Sequence, residues 1–207
     1  MERFIIAITR TCGSGATTVS KMLADEYGID LYDRKLLRLA SEDSGINEAL
    51  FGKADEKVKK TLLYHASRKV YNGELIPPES DDFASDNNLF NYQAKVLKEL
   101  ANQESYIVIG RGADYILRDN PNMISVFLTA DLETRITHEM ERMCCDRKEA
   151  TKYIHKMDKF RSEYYTYHTG KKWKDTENYD LTLNTAKLGY DKCVELIKNY
   201  VSYRTEK

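Results

Sequence analysis

An apolar run followed by a glycine-rich turn constrains this chain more than any other feature. Residues 3–9 read RFIIAIT, residues 10–18 read RTCGSGATT, and helical spacing of apolar residues begins at Val19. A compact β-branched run that ends at a glycine turn predicts a buried parallel strand. A strand, a glycine turn and a helix in succession point backbone N–H groups and the positive end of a helix dipole into one concavity. The opening of the chain therefore predicts an anion-binding loop.

Four later stretches of the chain also predict buried strands. They cover 29–33, 106–109, 123–131 and 179–185, and apolar residues at helical spacing lie between them. No hairpin signal joins two of these strands. Strands separated by helices pair in parallel, and the helices then cover both faces of the sheet. The sequence therefore predicts an α/β fold with a five-stranded parallel sheet flanked by helices.

The helices are predicted from the positions of apolar residues and of helix-ending residues. Gly28 gives the first helix a C-terminal stop, and Asp131 is placed to cap the helix after the fourth strand. The segment 73–87 contains two of the three prolines and several acids, which predicts a flexible loop or a boundary between core and lid. The other predicted helices cover 34–41, 55–72, 89–101, 133–168 and a C-terminal segment with Cys193, Val194, Ile197, Tyr200 and Val201 on its core face.

Composition limits the class of protein. The chain has 207 residues, of which 42% are hydrophobic and 31% charged, and this is enough for one substantial core. The formal net charge of -1 gives no bulk electrostatic reason to expect a nucleic-acid polymer or a membrane as partner. The run FIIAI is too short to span a bilayer, and the four cysteines lack metal-ligand spacing. We therefore expect a cytoplasmic protein with reduced thiols.

The glycine turn departs from the strict phosphate-loop pattern G-x-x-x-x-G-K-[ST]. Arg10 takes the place of the first glycine and Ala16 that of the lysine. Gly13 and Gly15 permit positive φ and close approach of a phosphate, and the hydroxyls that follow can meet a phosphate or the shell of a Mg²⁺ ion. A tight strand-to-helix turn without a ligand is the alternative. Cys12 lies inside the loop. Either its thiol can be modified beside a bound anion, or the residue serves only as a small packing residue.

Four segments, in this order along the chain, carry a family resemblance. They are AITRTCGSGATTVSKMLADEYGIDLYDRKLL, YIVIGRGADYIL, ISVFLTADLETRI and DKFRSEYYTYHTGKKWKDTENYDLTLNT. Together they resemble the cytidylate kinase-like proteins, bacterial relatives of cytidylate kinase among the P-loop nucleoside monophosphate kinases. Members of that family commonly open with an arginine, a Gly-Ser-Gly turn and no phosphate-loop lysine.

The resemblance implies a fold, a domain layout and substrates. It implies a P-loop NTPase three-layer sandwich formed by a single domain over 1–207, with an acceptor-binding helical insert at about 34–104 and a helical lid at about 142–168. It also implies ATP as phosphoryl donor, Mg²⁺ as cofactor, and a nucleotide or another small phosphorylated acceptor. No nucleic-acid polymer or membrane partner is implied, and the oligomeric state stays open.

The resemblance also assigns the binding residues. The donor phosphates are expected on Gly13, Ser14, Gly15, Ala16, Thr17 and Thr18, with Thr17 as a candidate Mg²⁺ ligand. Asp33, Arg111 and Asp114 are expected at the acceptor. Arg111 matches the arginine of the family's GRD segment, whereas Gly112 stands where that segment has its aspartate, so Asp114, two residues on, is the candidate substitute. Asp33 has an alternative interpretation as the N-cap of the following helix.

Three residues are expected to act in catalysis. Arg161 matches the lid-exit arginine that contacts the transferring phosphoryl group, and Asp158 lies three residues earlier, where it could orient that arginine. An exposed i, i+3 pair is the alternative. Arg10 is the nearest cation in sequence to take over from the missing lysine, Lys21 is a second candidate, and Arg161 could reach in from the lid. Arg135 and Arg142, at the mouth of the lid, are interpreted either as phosphate contacts or as part of a solvated helix face.

Two other classes of function compete with the kinase. One is a nucleotide-binding regulatory protein that keeps the fold without phosphoryl transfer, and the other is a P-loop kinase with a non-nucleotide acceptor. The missing lysine and the missing GRD aspartate favour these two classes, whereas Arg111 and Arg161 favour retained phosphoryl chemistry.

Overall fold

The computed structural model describes residues 3–56 and 73–205, with the side chains of 54–56 left aside. Most of the helix predicted over 55–72 lies outside these residues. Every pair of neighbouring strands is parallel, in the order β2-β3-β1-β4-β5, so the predicted five-stranded parallel sheet is confirmed. The strands are β1 (Ile5–Arg10), β2 (Asp30–Tyr32), β3 (Tyr106–Ile109), β4 (Met123–Thr129) and β5 (Leu181–Asn184).

Helices follow each strand, as the alternation of the sequence predicts. Helix α1 begins directly after the glycine turn and ends at Gly28, whose φ of 64° confirms the predicted C-terminal stop. The described helices are α1 (Ala16–Tyr27), α2 (Lys35–Ser44), α3 (Glu48–Glu56), α4 (Asp86–Ala101), α5 (Ala113–Ile116), α6 (Leu132–Met143), α7 (Arg147–Thr169), α8 (Thr185–Leu188) and α9 (Tyr190–Thr205).

The central strand β1 divides the core into two layers. Its side chains alternate between the two faces of the sheet. Ile5 and Ala7 pack with residues of α2, α3, α4 and α5 on one face. Ile6 and Ile8 pack with residues of α1 and α9 on the other. The molecule is therefore a three-layer sandwich of helices, sheet and helices.

Two expected helix caps differ from the structure. Asp131 occupies the N-cap of α6, but its side chain makes no capping bond and instead accepts from Asn184 Nδ2 at 3.1 Å. The N-cap of α2 is Arg34, without a capping side chain, so Asp33 does not cap that helix. The side chain of Asp33 is thereby left for another role.

The segment before α4 is a loop, as its prolines predict, and Asn88 binds it at Ile76 and at Phe83. Asn88 Oδ1 accepts from the N–H of Ile76 at 2.8 Å, and Nδ2 donates to the carbonyls of Ile76 and Phe83 at 3.1 and 2.7 Å.

Across 3–56 and 73–205, no helix combines the length and the apolar character needed to cross a membrane.

The connections after β1 and β3 leave the sheet in opposite directions. Helix α1 packs on the face that carries α9, whereas α5 packs on the face that carries α4. Such a reversal opens a crevice outside the carboxyl ends of the two strands, which is the usual ligand position in open α/β sheets. The glycine turn and Arg111 lie on the two sides of this crevice.

Candidate active site

A cleft of about 1250 Å³ lies at the carboxyl edge of the sheet. It brings together most of the residues that the sequence singles out. The loop 13–18 forms one wall with Arg10, and Asp33, Arg111 and Arg161 line the same space. These residues come from β1, the β2–α2 turn, the β3–α5 turn and α7, so the fold assembles one site from distant parts of the chain.

The loop has the backbone geometry of an anion-binding nest. Gly13 and Gly15 adopt φ of 76° and 71°, which bends the chain between β1 and α1. Among the described residues, no protein acceptor takes the N–H groups of Gly15, Ala16 and Thr17. These donors lie at the positive end of α1, as a bound phosphate requires.

The carbonyl groups of the loop are held by side chains from other elements. The oxygens of residues 12–14 contact, in order, Arg135 Nε at 2.6 Å, His138 Nδ1 at 2.9 Å and Thr185 Oγ1 at 2.7 Å. Because a carbonyl oxygen can only accept, the second contact assigns a proton to Nδ1 of His138. These contacts fix the direction of three successive carbonyls of the loop.

No cation stands at the lysine position of the loop. Ala16 is only 3% exposed and begins α1. Lys21 is exposed on the same helix and is not among the residues that line the cleft, so the structure does not support it as a substitute. Thr17 and Thr18 are exposed and do line the cleft.

The side chain of Arg10 extends from the loop side of the cleft to the turn after β3. Its guanidinium is packed against Gly110, where a side chain at residue 110 would collide with Nη1. Burial lowers the pKa of Arg10 to about 9, and the neighbouring Arg161 adds to the lowering. Asp33 acts in the opposite direction. A cation held in this way, among other cations, is well placed to receive an anion.

Arg111 and Arg161 complete the positive cluster. Arg111 adopts φ of 65°, in the left-handed region that non-glycine residues rarely visit, and its Nη1 donates to Gln93 Oε1 at 3.3 Å. Burial lowers its pKa, against the effect of Tyr164 and Asp33. Arg161 Nη1 donates to the carbonyl of Arg10 at 3.2 Å. Backbone strain beside a ligand cleft is typical of functional sites.

Asp158 does not pair with Arg161 in the structure. Its Oδ1 accepts from the N–H of Cys12 at 2.8 Å, and its Oδ2 pairs with Arg135 at 2.5 Å. The expected i, i+3 orientation of Arg161 is therefore replaced by a contact to the loop. Arg135 is buried beneath the loop, so neither interpretation of it as a phosphate contact or a solvated residue holds. Arg142 is exposed and pairs with Glu139.

Asp114 lies away from the cleft. It is 5% exposed, and its Oδ2 accepts from the Tyr165 hydroxyl at 2.6 Å. Burial raises its pKa to about 6. The side chain lines a smaller cavity of about 270 Å³ with Lys171 and Asp180. The structure thus does not support Asp114 as a substitute for the aspartate of the GRD segment.

Cys12 is a packing residue. It is 4% exposed, and its Sγ donates to Glu139 Oε1 at 3.5 Å. Burial raises the pKa of the thiol to about 12, so the group is protonated at neutral pH. Of the two interpretations of this thiol, the structure favours packing over modification.

Four residues of the site were not predicted from the sequence. His138 and Thr185 bind loop carbonyls, Gln93 binds Arg111, and the ring of Tyr190 lies where a side chain at Gly15 would project. Each comes from a helix or helix start that the sequence places far from the loop. The only sequence signal is that Thr185 and Tyr190 follow the last strand, whose carboxyl end meets the same edge of the sheet.

The sheet order, the glycine loop between β1 and α1, and the cleft above them define a P-loop kinase fold. A model of the cytidylate kinase-like family matches residues 5–187. The chain belongs to the cytidylate kinase-like family. A cytidylate kinase of Methanopyrus kandleri is 25% identical over 94% of this chain and 91% of its own length. A cytidylate kinase of Fervidobacterium nodosum is 26% identical over 67% of this chain and 68% of its own.

Solved structures agree with this fold. An uncharacterized protein from Eubacterium ventriosum is 31% identical and covers 97% of this chain and 99% of its own, with a TM-score of 0.71. A shikimate kinase from Acinetobacter baumannii, solved with shikimate, is 13% identical over 100% of this chain and 97% of its own, with a TM-score of 0.52. The second likeness concerns the fold alone.

Proposed function

We propose that the protein transfers the γ-phosphoryl group of ATP to a small phosphorylated acceptor, as nucleoside monophosphate kinases do. One observation carries the proposal. The N–H groups of residues 15–17, which no acceptor among the described residues takes, face a cleft that Arg10, Arg111 and Arg161 also line. The family to which the chain belongs, and its cytidylate kinase relatives, support the same chemistry.

The donor end of the cleft is proposed at the loop 13–18. Backbone N–H groups and the α1 dipole bind the β- and γ-phosphates, and the two exposed hydroxyls of Thr17 and Thr18 lie beside them. The loop can bind phosphate without lysine because its donors are already aligned. The charge that the lysine would supply comes from Arg10, which lies directly before the loop.

Mg²⁺ fits this end of the cleft. Across the described residues, no three His, Cys, Asp or Glu side chains form a metal site, whereas a Mg²⁺ ion that arrives with a triphosphate needs only one or two protein oxygens. Thr17 would supply a hydroxyl to it. When bound, the ion neutralises charge on the phosphate oxygens.

Transfer needs positioning and positive charge more than a base. An oxygen of the acceptor phosphate forms a bond to the γ-phosphorus while the bond to the β,γ-bridging oxygen breaks, giving ADP and a diphosphate. The acceptor oxygen is already anionic, so no proton has to be removed. Arg161, from α7, and Arg10 stabilise the equatorial oxygens, whereas Arg111 binds the acceptor phosphate by its forked guanidinium.

We propose that different parts of the chain bind the acceptor and form the lid. We assign the acceptor side to the helical insert at about 34–104, which contributes Gln93 beside Arg111, and the lid to about 142–168, which contributes Arg161. Asp33 lines the cleft near Arg10 and Arg111, whose charges it favours, and is the proposed contact to a polar group of the acceptor. Asp114 takes no part in binding.

Two observations favour a second candidate, a protein that binds nucleotide without transfer or uses a non-nucleotide acceptor. The lysine position carries a buried alanine, and Asp114 lies outside the cleft. The discriminating experiment incubates the protein with ATP and Mg²⁺ against CMP, dCMP, UMP, AMP and simple alcohols. ADP formation that depends on one nucleotide supports the kinase. Saturable ATP binding without turnover supports the regulatory protein, and turnover with an alcohol supports the non-nucleotide kinase.

Arg161→Ala tests the lid arginine. We expect turnover to fall by about 10³-fold or more, because comparable arginines in phosphoryl transfer have effects of that size. The melting temperature should stay close to wild type, since the substitution removes a hydrogen bond to a backbone carbonyl and leaves the apolar core intact. Arg147→Ala is the matched control on α7, because Arg147 is exposed and pairs with Glu133 on the surface. Wild-type turnover in Arg161→Ala would remove this residue from the site.

A further inference from the structure

One residue at the start of the phosphate loop, Cys12, is held at both its backbone N–H and its carbonyl by a buried ion pair. Asp158 accepts from the N–H of Cys12 at 2.8 Å, and Arg135 Nε donates to the carbonyl of the same residue at 2.6 Å. The two charged groups are 2.5 Å apart and only 13% and 8% exposed. Lys174 lies 4.0 Å from the carboxylate and is 59% exposed, so it is the weaker partner.

The pair joins the loop to α7, which forms most of the proposed lid, and to α6, the helix before it. Arg135 is on α6 and Asp158 on α7. One turn beyond Asp158, Arg161 donates to the carbonyl of Arg10. Helix α7 therefore contacts the backbone at two positions, Arg10 at the end of β1 and Cys12 in the turn that follows. A shift of α7 that moves Arg161 also pulls on the loop.

We propose that Arg135 and Asp158 are positioning residues that couple the place of Arg161 to the shape of the phosphate loop. This inference rests on the proposed function, because it names what aligns the donor phosphates with the lid arginine. A loop without lysine depends more on the direction of its N–H groups, and the two contacts at Cys12 hold the backbone directly before those groups. Loss of the pair lets the loop and Arg161 move independently, which lowers the rate of transfer more than the affinity for ATP.

Two substitutions test the two residues of the ion pair one at a time. Asp158→Asn keeps an oxygen for the Cys12 N–H and removes the charge that fixes Arg135. Arg135→Lys keeps a buried positive charge, and so the fold, but a single ammonium cannot donate to both the loop carbonyl and the carboxylate in the same geometry. Glu163→Gln is the matched control, because Glu163 forms an ion pair with Lys159 on the same helix.

The readouts are the kcat of transfer, the Kd of ATP, and hydrogen exchange of the Cys12 amide measured by NMR. In both variants we expect kcat to fall by about 10²-fold and the Kd of ATP to change by less than about 5-fold, since small misplacements cost most in the transition state. The Cys12 amide should exchange faster than in wild type. Glu163→Gln should match wild type in all three.

Wild-type kcat together with wild-type Cys12 exchange in folded Arg135→Lys or Asp158→Asn protein would overturn the proposal. If the wild-type protein turns over no acceptor, the proposed function fails by itself. Cys12 exchange, with and without ATP, then still tests the positioning role. Unchanged exchange in both variants would refute it, and faster exchange with weaker protection by ATP would support it.

Discussion

At the scale of single residues, Arg10 combines two opposed demands. Its guanidinium packs against Gly110 and shares the cleft with Arg111 and Arg161, while Asp33 is the carboxylate that favours its charge. Burial and like charge lower its pKa to about 9, which means that the folded protein holds this cation at a cost. Such a residue destabilises the empty protein and stabilises a bound anion, a frequent compromise at functional sites.

Arg10→Met tests both sides of this compromise. At pH 7 the melting temperature of the empty protein should rise, because the replaced charge is disfavoured in the folded state relative to the unfolded one. Turnover should fall by about 10³-fold, the scale of a phosphate-neutralising arginine. Arg38→Met is the control, since Arg38 pairs with Glu42 on the surface and should leave both quantities near wild type. Retained turnover in Arg10→Met would exclude Arg10 as the substitute for lysine.

Single residues also differ in how well the sequence predicts their contacts. Arg10 and Arg161 both line the cleft, and each had a sequence signal: Arg10 ends a predicted strand, and Arg161 lies in a segment that matches the family. Asp158 and Asp114 were placed by their distance along the chain from a matching residue. Their actual partners, Arg135 and Tyr165, are 23 and 51 residues away, and such contacts depend on packing.

At the scale of elements, the loop is defined by what surrounds its glycines. A Cβ on Gly13 would lie 2.8 Å from the backbone oxygen of Arg135, and the φ of 76° would strain it further. Gly28, at the end of α1, has a similar φ of 64° but open space around it. Glycine is therefore required at residue 13 by both packing and backbone conformation, and at residue 28 by backbone conformation alone.

The pair Gly13→Ala and Gly28→Ala separates these two causes. Gly28→Ala should destabilise the protein by about 1 kcal/mol, the cost of a left-handed alanine. Gly13→Ala should cost more, because backbone atoms of α6 must move, and it should weaken ATP binding by about 10-fold or more. Thermal unfolding and calorimetric titration with ATP measure the two effects. Equal melting temperatures with equal ATP affinity would contradict this account of the loop.

Sequence patterns predicted the elements well for a physical reason. Buried parallel strands such as β3 and β4 are short apolar runs, and the φ that ends α1 needs a glycine at its C-terminus, so both have local signatures. The prediction that the Asp131 side chain caps α6 was wrong, because that side chain accepts a hydrogen bond from Asn184, 53 residues away in the sequence. Local propensity cannot encode that choice.

At the scale of the whole molecule, two buried titratable groups make the stability vary with pH in opposite directions. Asp114 is 5% and His168 4% exposed. Burial raises the pKa of Asp114 to about 6 and lowers the pKa of His168 to about 3. In both residues, burial disfavours the charged form of the side chain in the folded protein.

The signs follow from proton linkage. Between about pH 4 and 6 the folded protein holds a proton on Asp114 that the unfolded chain has lost, so this group raises stability as the pH falls. Between about pH 3 and 6.5 the unfolded chain binds a proton at His168 that the folded protein does not, so that group lowers stability as the pH falls. In the wild-type protein the two contributions offset each other over about pH 4 to 6.

Asp114→Asn should expose the offset. Asparagine keeps an oxygen for the Tyr165 hydroxyl and has no proton to gain, so the variant loses stability on acidification while the wild type changes less. Relative to wild type, its free energy of unfolding should fall by about 2 kcal/mol between pH 7.5 and pH 4, given about 1.4 kcal/mol for each unit of pKa shift. Asp119→Asn is the control, because Asp119 is 88% exposed. Denaturant titrations across this range decide the matter, since parallel curves for Asp114→Asn and wild type would mean that Asp114 ionises in the folded protein as it does in the unfolded chain.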